Sequence, residues 1–101
     1  MDKFVIKRNG TYLPFEPFKI EEAITKAFAS VSETLNLKVI ETVFQLLSHQ
    51  DTWAVEDIQD KIEKKLYEYG HYEVMRSFML FRHTRKLQRE HVLGLNDDTT
   101  Y

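Results

Sequence analysis

The sequence predicts a mainly α (α+β) domain, an N-terminal β-hairpin lid over a four-helix bundle, and three observations carry that prediction. An Asn9-Gly10 pair separates two short runs, Val5-Ile6-Lys7-Arg8 and Thr11-Tyr12-Leu13-Pro14-Phe15. Beyond Pro17, four segments repeat apolar residues at helical spacing. The chain has 101 residues and no cysteine, which suits one hydrophobic core without a disulfide framework or a thiolate metal site.

Each element has its own local signal. Asn-Gly between two strand-like runs predicts a hairpin closed by a two-residue type I′ turn, which needs positive φ at both central positions. Pro17 fits the first position of a helix, where a missing N–H costs nothing. Ile20, Ala23, Ile24, Ala27, Phe28 and Val31 then form one stripe, which predicts a first helix over 18–31 with Lys19, Glu22 and Lys26 on its outer face. Ser32-Glu33-Thr34 reads as a break. Leu37, Ile40, Val43, Phe44 and Leu47, widened by Val39 and Leu46, predict a second helix over 36–48. The polar segment 48–52 reads as a connection, with Trp53 packing over the joint. A third helix starts near Val55, with Glu56 and Asp57 in the first turn, where the helix dipole favours acids. It carries Val55, Ile58, Ile62 and Leu66 inward and ends at Gly70 as a C-cap glycine. A fourth helix over 72–91 places Val74, Met75, Phe78, Met79 and Phe81 inward, and Arg82, Arg85, Lys86 and Arg89 near one face of its later half. Gly94 terminates the region. Residues 1–92 form the domain, and 93–101 read as a linker or the cut end of a longer chain.

Composition narrows the function classes. The chain is 43% hydrophobic and 30% charged, which places it among globular rather than disordered chains. No apolar run approaches the ~20 residues of a membrane span, and the first residues have no signal-peptide core, so a cytoplasmic protein is the expectation. A net charge of −2 argues against a dedicated nucleic-acid binder. The sequence has no GxSxG elbow, no HExxH pair, no Walker loop and no GxGxxG. His49, His71, His83 and His91 lack ligand spacing and read as surface histidines. Acid pairs at helix starts need no catalytic explanation. The chain is therefore expected not to be an enzyme by itself and to hold no metal through its own side chains.

Binding is the class that remains. Lys7 and Arg8 flank exposed turn backbone, and cations beside free N–H groups suit a phosphate chain. Solvated edge-strand charges are the alternative. The same choice applies to the basic face of the fourth helix, which the C-terminal end of the dipole also favours.

Three stretches carry a family resemblance. Val5-Ile6-Lys7-Arg8-Asn9-Gly10, followed by Phe15, Lys19-Ile20, Ala23-Ile24 and Ala27-Phe28, resembles the start of the ATP-cone domain. Val55-Glu56-Asp57-Ile58-Gln59-Asp60-Lys61-Ile62-Glu63 resembles its third-helix signature, and Phe81 through Lys86 its closing basic helix. The resemblance spans residues 3–90. It implies a small allosteric domain of a ribonucleotide reductase subunit that binds ATP, which permits turnover, or dATP, which stops it. Control passes through nucleotide-dependent association with the other subunit or another cone. The same domain also occurs in a repressor of reductase genes, behind a cysteine zinc ribbon; a chain that opens with the hairpin at Met1 and has no cysteine disfavours that version. A small basic helical module that binds nucleic acid or protein is the rival from another class.

The resemblance also implies site residues. Nucleotide contacts fall on Val5, Lys7, Arg8, Asn9, Gly10, Glu16, Lys19, Val55, Ile58, Gln59 and Arg85. Lys7, Arg8, Lys19 and Arg85 face the phosphates, with Mg²⁺ bound through phosphate oxygens and water. Val55 and Ile58 offer apolar surface to the base, Glu16 accepts from the adenine amino group, and Gln59 reads a base edge or the sugar. Two positions depart from the family pattern: Val55 stands where a hydroxyl residue is frequent, and Glu16 where some members carry an amide. A second triphosphate would draw on Lys26, Lys61, Ile62, Arg82, Lys86 and Arg89; a solvated face accounts for those cations equally well.

Overall fold

The computed structural model describes the backbone of residues 3–91 and the side chains of 3–87. The chain runs β1 (Phe4–Ile6), β2 (Tyr12–Pro14), α1 (Pro17–Ser30), α2 (Leu37–Leu47), β3 (Thr52–Ala54), α3 (Val55–Glu68) and α4 (Tyr72–His91). The four helices and the hairpin thus stand where the sequence places them. Gly94 and the 93–101 linker lie outside the described residues.

The hairpin is not a free-standing lid. Thr52, expected as the end of the 48–52 connection, forms a third strand with Trp53 and Ala54, and the sheet order is β2-β1-β3. β1 pairs antiparallel with β2 and parallel with β3, in register Phe4↔Thr52, Val5↔Trp53 and Ile6↔Ala54. Trp53 fixes this strand. Its ring is buried and its indole N–H donates to the Leu47 carbonyl at 2.9 Å, because a buried indole needs an acceptor. Lys3 Nζ donates to the same carbonyl at 3.0 Å and to that of Gln50 at 2.9 Å, which ties the entry of β1 to the exit of α2.

The helices start and stop for local reasons. Pro17 opens α1, and the Asn36 side chain caps α2 by accepting from the Lys38 N–H at 3.0 Å. α1 and α3 end in the same Schellman motif. Glu33 N–H bonds the Phe28 carbonyl and Ser32 N–H that of Ala29; His71 N–H bonds Leu66 and Gly70 N–H bonds Tyr67. The left-handed residue is Gly70 (φ 80°) in one and Ser32 (φ 58°) in the other.

One core joins all layers. Ile20, Ile24 and Phe28 of α1, Val39, Val43 and Leu47 of α2, Ile58, Ile62 and Leu66 of α3, and Val74 and Phe78 of α4 meet Val5 and Trp53 of the sheet. Each such side chain contributes about 1.5–3 kcal/mol on burial. α4 packs against both α1 and α3 through a narrower stripe than expected. Val74 and Phe78 are buried and Met75 partly so, but Met79 and Phe81 are 47% and 45% exposed. Positions 74 and 78 are four apart and share a face; 79 and 81 fall to either side of it. Leu37, assigned to the α2 stripe, is also exposed, because it opens the helix ahead of the buried turns.

Candidate functional site

The turn between β1 and β2 differs from the type I′ expectation. Lys7 N–H donates to the Thr11 carbonyl at 2.8 Å and Gly10 N–H to the Lys7 carbonyl at 2.9 Å. Only Gly10 has positive φ (87°); Asn9 does not. The loop is therefore a three-residue connection, a type I turn closed by a left-handed glycine. The Asn9 side chain accepts from the Thr11 N–H at 3.0 Å and holds the turn from inside. Strand pairing stops at Ile6↔Tyr12, so Lys7 and Arg8 leave the sheet at its end rather than along an edge.

The parallel register determines where they go. β3 runs straight into α3, so β1 alongside it delivers Lys7 and Arg8 to the first turn of that helix. Arg8 Nη2 donates to Gln59 Oε1 at 3.1 Å, and Arg8 Nε stands 3.5 Å from Glu56 Oε1. Lys7 and Gln59, 9% and 5% exposed, are the buried polar side chains of the described residues. The N-cap of α3 is Ala54, with no side-chain cap bond. Its first N–H groups have no side-chain cap at the point that two cations approach, and Glu56 and Asp57 in the first turn offset part of the dipole. Cations, a buried amide and an open helix N-terminus together make a surface for an anion.

The other expected site residues lie on β1, the hairpin exit, α1, α3 and α4. Val5, Val55 and Ile58 are fully buried. Glu16 ends the hairpin exit, and its carboxylate pairs with Lys19 one turn into α1 at 2.8 Å. Arg85 of α4 lies over the Phe81 ring at 5.7 Å.

The cations assigned to a second ligand do not share one place. Lys26 pairs with Glu22 on the exposed face of α1 and lines an apolar groove of about 190 Å³ between α1 and α4. Arg82 and Lys86 line a different groove of about 240 Å³ between α3 and α4, with Arg8, Glu56 and Glu63. Ile62 is fully buried and Lys61 half-buried on α3. Arg89 lies beyond the described side chains. Arg82 is held at 2.9 Å by Asp60 and 2.8 Å by Glu63, and its Nη2 points to the Glu56 carbonyl at 3.5 Å. Burial works against its charge, but the hydrogen bonds and charges of Glu63 and Asp60 outweigh that and raise its pKa above the ordinary arginine value. Arg82 is thus a clamp between α3 and α4.

Glu56, Asp60 and Glu63 were not among the expected site residues. Positions 56, 59, 60 and 63 are spaced as one face of α3, and an acidic face opposite a basic α4 was the available signal. In the sequence the helix dipole alone accounts for Glu56, since its partner Arg8 lies 48 positions away. Among the described residues no cluster of three metal-ligating side chains occurs, and no helix is long and apolar enough to cross a membrane.

The sequence profile of the ATP cone domain matches residues 3–87, the hairpin, all of α1–α3 and most of α4. The chain belongs to the ATP-cone family. This cone is 33% identical over 99 residues to the ribonucleoside-diphosphate reductase subunit alpha of Chlamydia pneumoniae, covering 84% of the chain and 9% of that protein. It is 34% identical over 108 residues to the vitamin B12-dependent ribonucleoside-diphosphate reductase of Thermoplasma acidophilum, covering 97% and 14%. The anaerobic ribonucleoside-triphosphate reductase of Escherichia coli is 29% identical over 102 residues, again covering 97% and 14%. The chain therefore spans 9–14% of the length of these relatives. All three relatives are ribonucleotide reductases by name, one of them vitamin B12-dependent and one anaerobic, and each matches the chain over a small share of its own length.

Proposed function

We propose that this cone is the allosteric regulatory domain of a ribonucleotide reductase subunit, binding ATP as activator or dATP as inhibitor. The observation that carries the proposal is the Arg8–Gln59 hydrogen bond. It joins two of the three stretches of the family signature, 51 positions apart in sequence, at an uncapped helix N-terminus. Lys7 and Arg8 take the phosphate chain, supported by Lys19 and Arg85; Asn9 and Gly10 shape the turn around it. Mg²⁺ enters with the triphosphate, bound by phosphate oxygens and water. The base lies toward Val55 and Ile58, which are buried in the ligand-free protein, with Glu16 and Gln59 as its polar contacts. ATP and dATP differ by one hydroxyl, so they regulate only by preferring different conformations or surfaces. The consequence is nucleotide-dependent association with the other reductase subunit or with another cone.

Calorimetric titration with ATP, dATP and GTP in the presence of Mg²⁺ tests the reading. Binding of both adenine nucleotides, with GTP weaker, is expected. At 100 times the dissociation constant, a ligand specific to the native state adds about 2.7 kcal/mol to stability, so a melting curve that dATP leaves unmoved would sink it.

A further inference from the structure

The nucleotide reading gives Lys7, Arg8 and Gln59 a task and leaves Glu56 without one. Its carboxylate stands 3.5 Å from Arg8 Nε, on the guanidinium that the phosphates would use. Asp60 and Glu63, farther along the same helix face, are neutralised by Arg82. Glu56 differs in its partner: its side chain, as exposed as that of Asp60 at 61%, pairs among the described residues with Arg8. A carboxylate and a phosphate compete for the same guanidinium edge, since both are planar or tetrahedral oxyanions that accept its N–H groups. Both in place at once would repel.

We infer that Glu56 is a built-in competitor for Arg8, a carboxylate that occupies the guanidinium in the ligand-free protein and must leave when a phosphate arrives. The inference rests on the nucleotide reading above. Three features support the exchange. Gln59 is neutral and buried, so its bond to Nη2 persists as a pivot, while Nε, which pairs with Glu56 by charge at 3.5 Å without a hydrogen bond to it, is open to an oxyanion that comes closer. Arg82 and the helix hold the Glu56 backbone, so only the side chain has to move, and it moves into solvent. The α3 N-terminus, capped by Ala54 without a side-chain bond, then faces the incoming phosphate with Asp57 as the remaining acid of its first turn, one carboxylate fewer than before. Glu56 thereby holds affinity for polyanions below what Arg8 alone would give, and it does so through the phosphates rather than the base.

The test is a double-variant cycle. Wild type, Glu56→Gln, Arg8→Ala and the combined variant are titrated with dATP, ATP and inorganic tripolyphosphate at low salt. Glu56→Gln is expected to tighten all three ligands by about tenfold, an advantage that shrinks at high salt because the carboxylate is exposed. In the Arg8→Ala background the same change is expected to matter less than about threefold, as coupling through a shared partner requires. Unchanged or weaker binding by Glu56→Gln overturns the inference, and so does an equal gain in both backgrounds, which would assign the effect to net charge. Either result leaves the nucleotide reading standing if wild type binds ATP or dATP. Binding of none of the three ligands by wild type or Glu56→Gln overturns both.

Discussion

Arg8 gathers more of the site than any other side chain. It leaves a turn fixed by Gly10 and Asn9, crosses to α3, and meets an amide and a carboxylate there. Replacing it with alanine removes charge and donors but little core, so Arg8→Ala is expected to weaken nucleotide binding by about tenfold or more. The melting temperature should barely change, which calorimetry and a thermal melt on the same sample will report. Arg82 has the opposite profile. Its partners are protein carboxylates, and Arg82→Ala leaves Asp60 and Glu63 facing each other. A stability loss of about 1 kcal/mol, smaller at high salt, is expected for a pair this near the surface. Because its pKa is raised, the contribution is fully present below the ordinary arginine value and is lost only above it. Melts across the neutral range should therefore show no step from Arg82. The cations of the turn were legible as an anion site because two adjacent charges beside an Asn-Gly pair are conspicuous. Glu56 was not, since a first-turn acid already has a sufficient local explanation.

Element boundaries provide an internal comparison. α1 and α3 end in the same motif, one with Ser32 in the left-handed region and one with Gly70. A non-glycine residue there is strained. Ser32→Gly is expected to stabilise the fold by about 0.5–1 kcal/mol, and Gly70→Ala to destabilise it by about 1 kcal/mol. No atom lies within 4 Å of an added Cβ at Gly70, so the cost would come from the backbone alone. Urea melts of the two variants provide the comparison. The helices were legible because their apolar spacing extends over several turns. α4 was less so: its inward stripe reduces to Val74 and Phe78, and the apolar residues flanking it, Met79 and Phe81, instead line the grooves on either side. β3 was not legible, since three residues are too few to show alternation. The turn type was not legible for a separate reason: Asn-Gly suits both two- and three-residue loops, and the end of β1–β2 pairing decides between them.

At the scale of the molecule, the cone is a sheet end set against a helix start, and Trp53 holds the two in place. Trp53→Ala removes a buried ring and its bond to Leu47; a loss of about 3–5 kcal/mol is expected by denaturant melt. Nucleotide binding should weaken with it even under folding conditions, since β3 determines where β1 delivers Arg8. If the regulatory reading holds, a complete reductase subunit carrying this cone will sediment differently with dATP and with ATP. Equal sedimentation and equal activity would refute that reading at this scale, whatever the cone binds in isolation.

The central position of β1 also bears on how the chain reaches its fold. The strand that holds the middle of the sheet is the first of the chain, and its parallel partner arrives only at Thr52, after two complete helices. Parallel pairing at that separation carries a loop-closure cost that the local hairpin and helices do not. The β1–β3 pair is therefore expected to form late, on a platform that α2 and α3 have already assembled. Pulse-labelled hydrogen exchange should find the Phe4 amide, bonded to the Asp51 carbonyl at 2.8 Å, protected after the amides of those helices. Until that moment Arg8 and Gln59 are strangers on one chain, and the anion site does not exist.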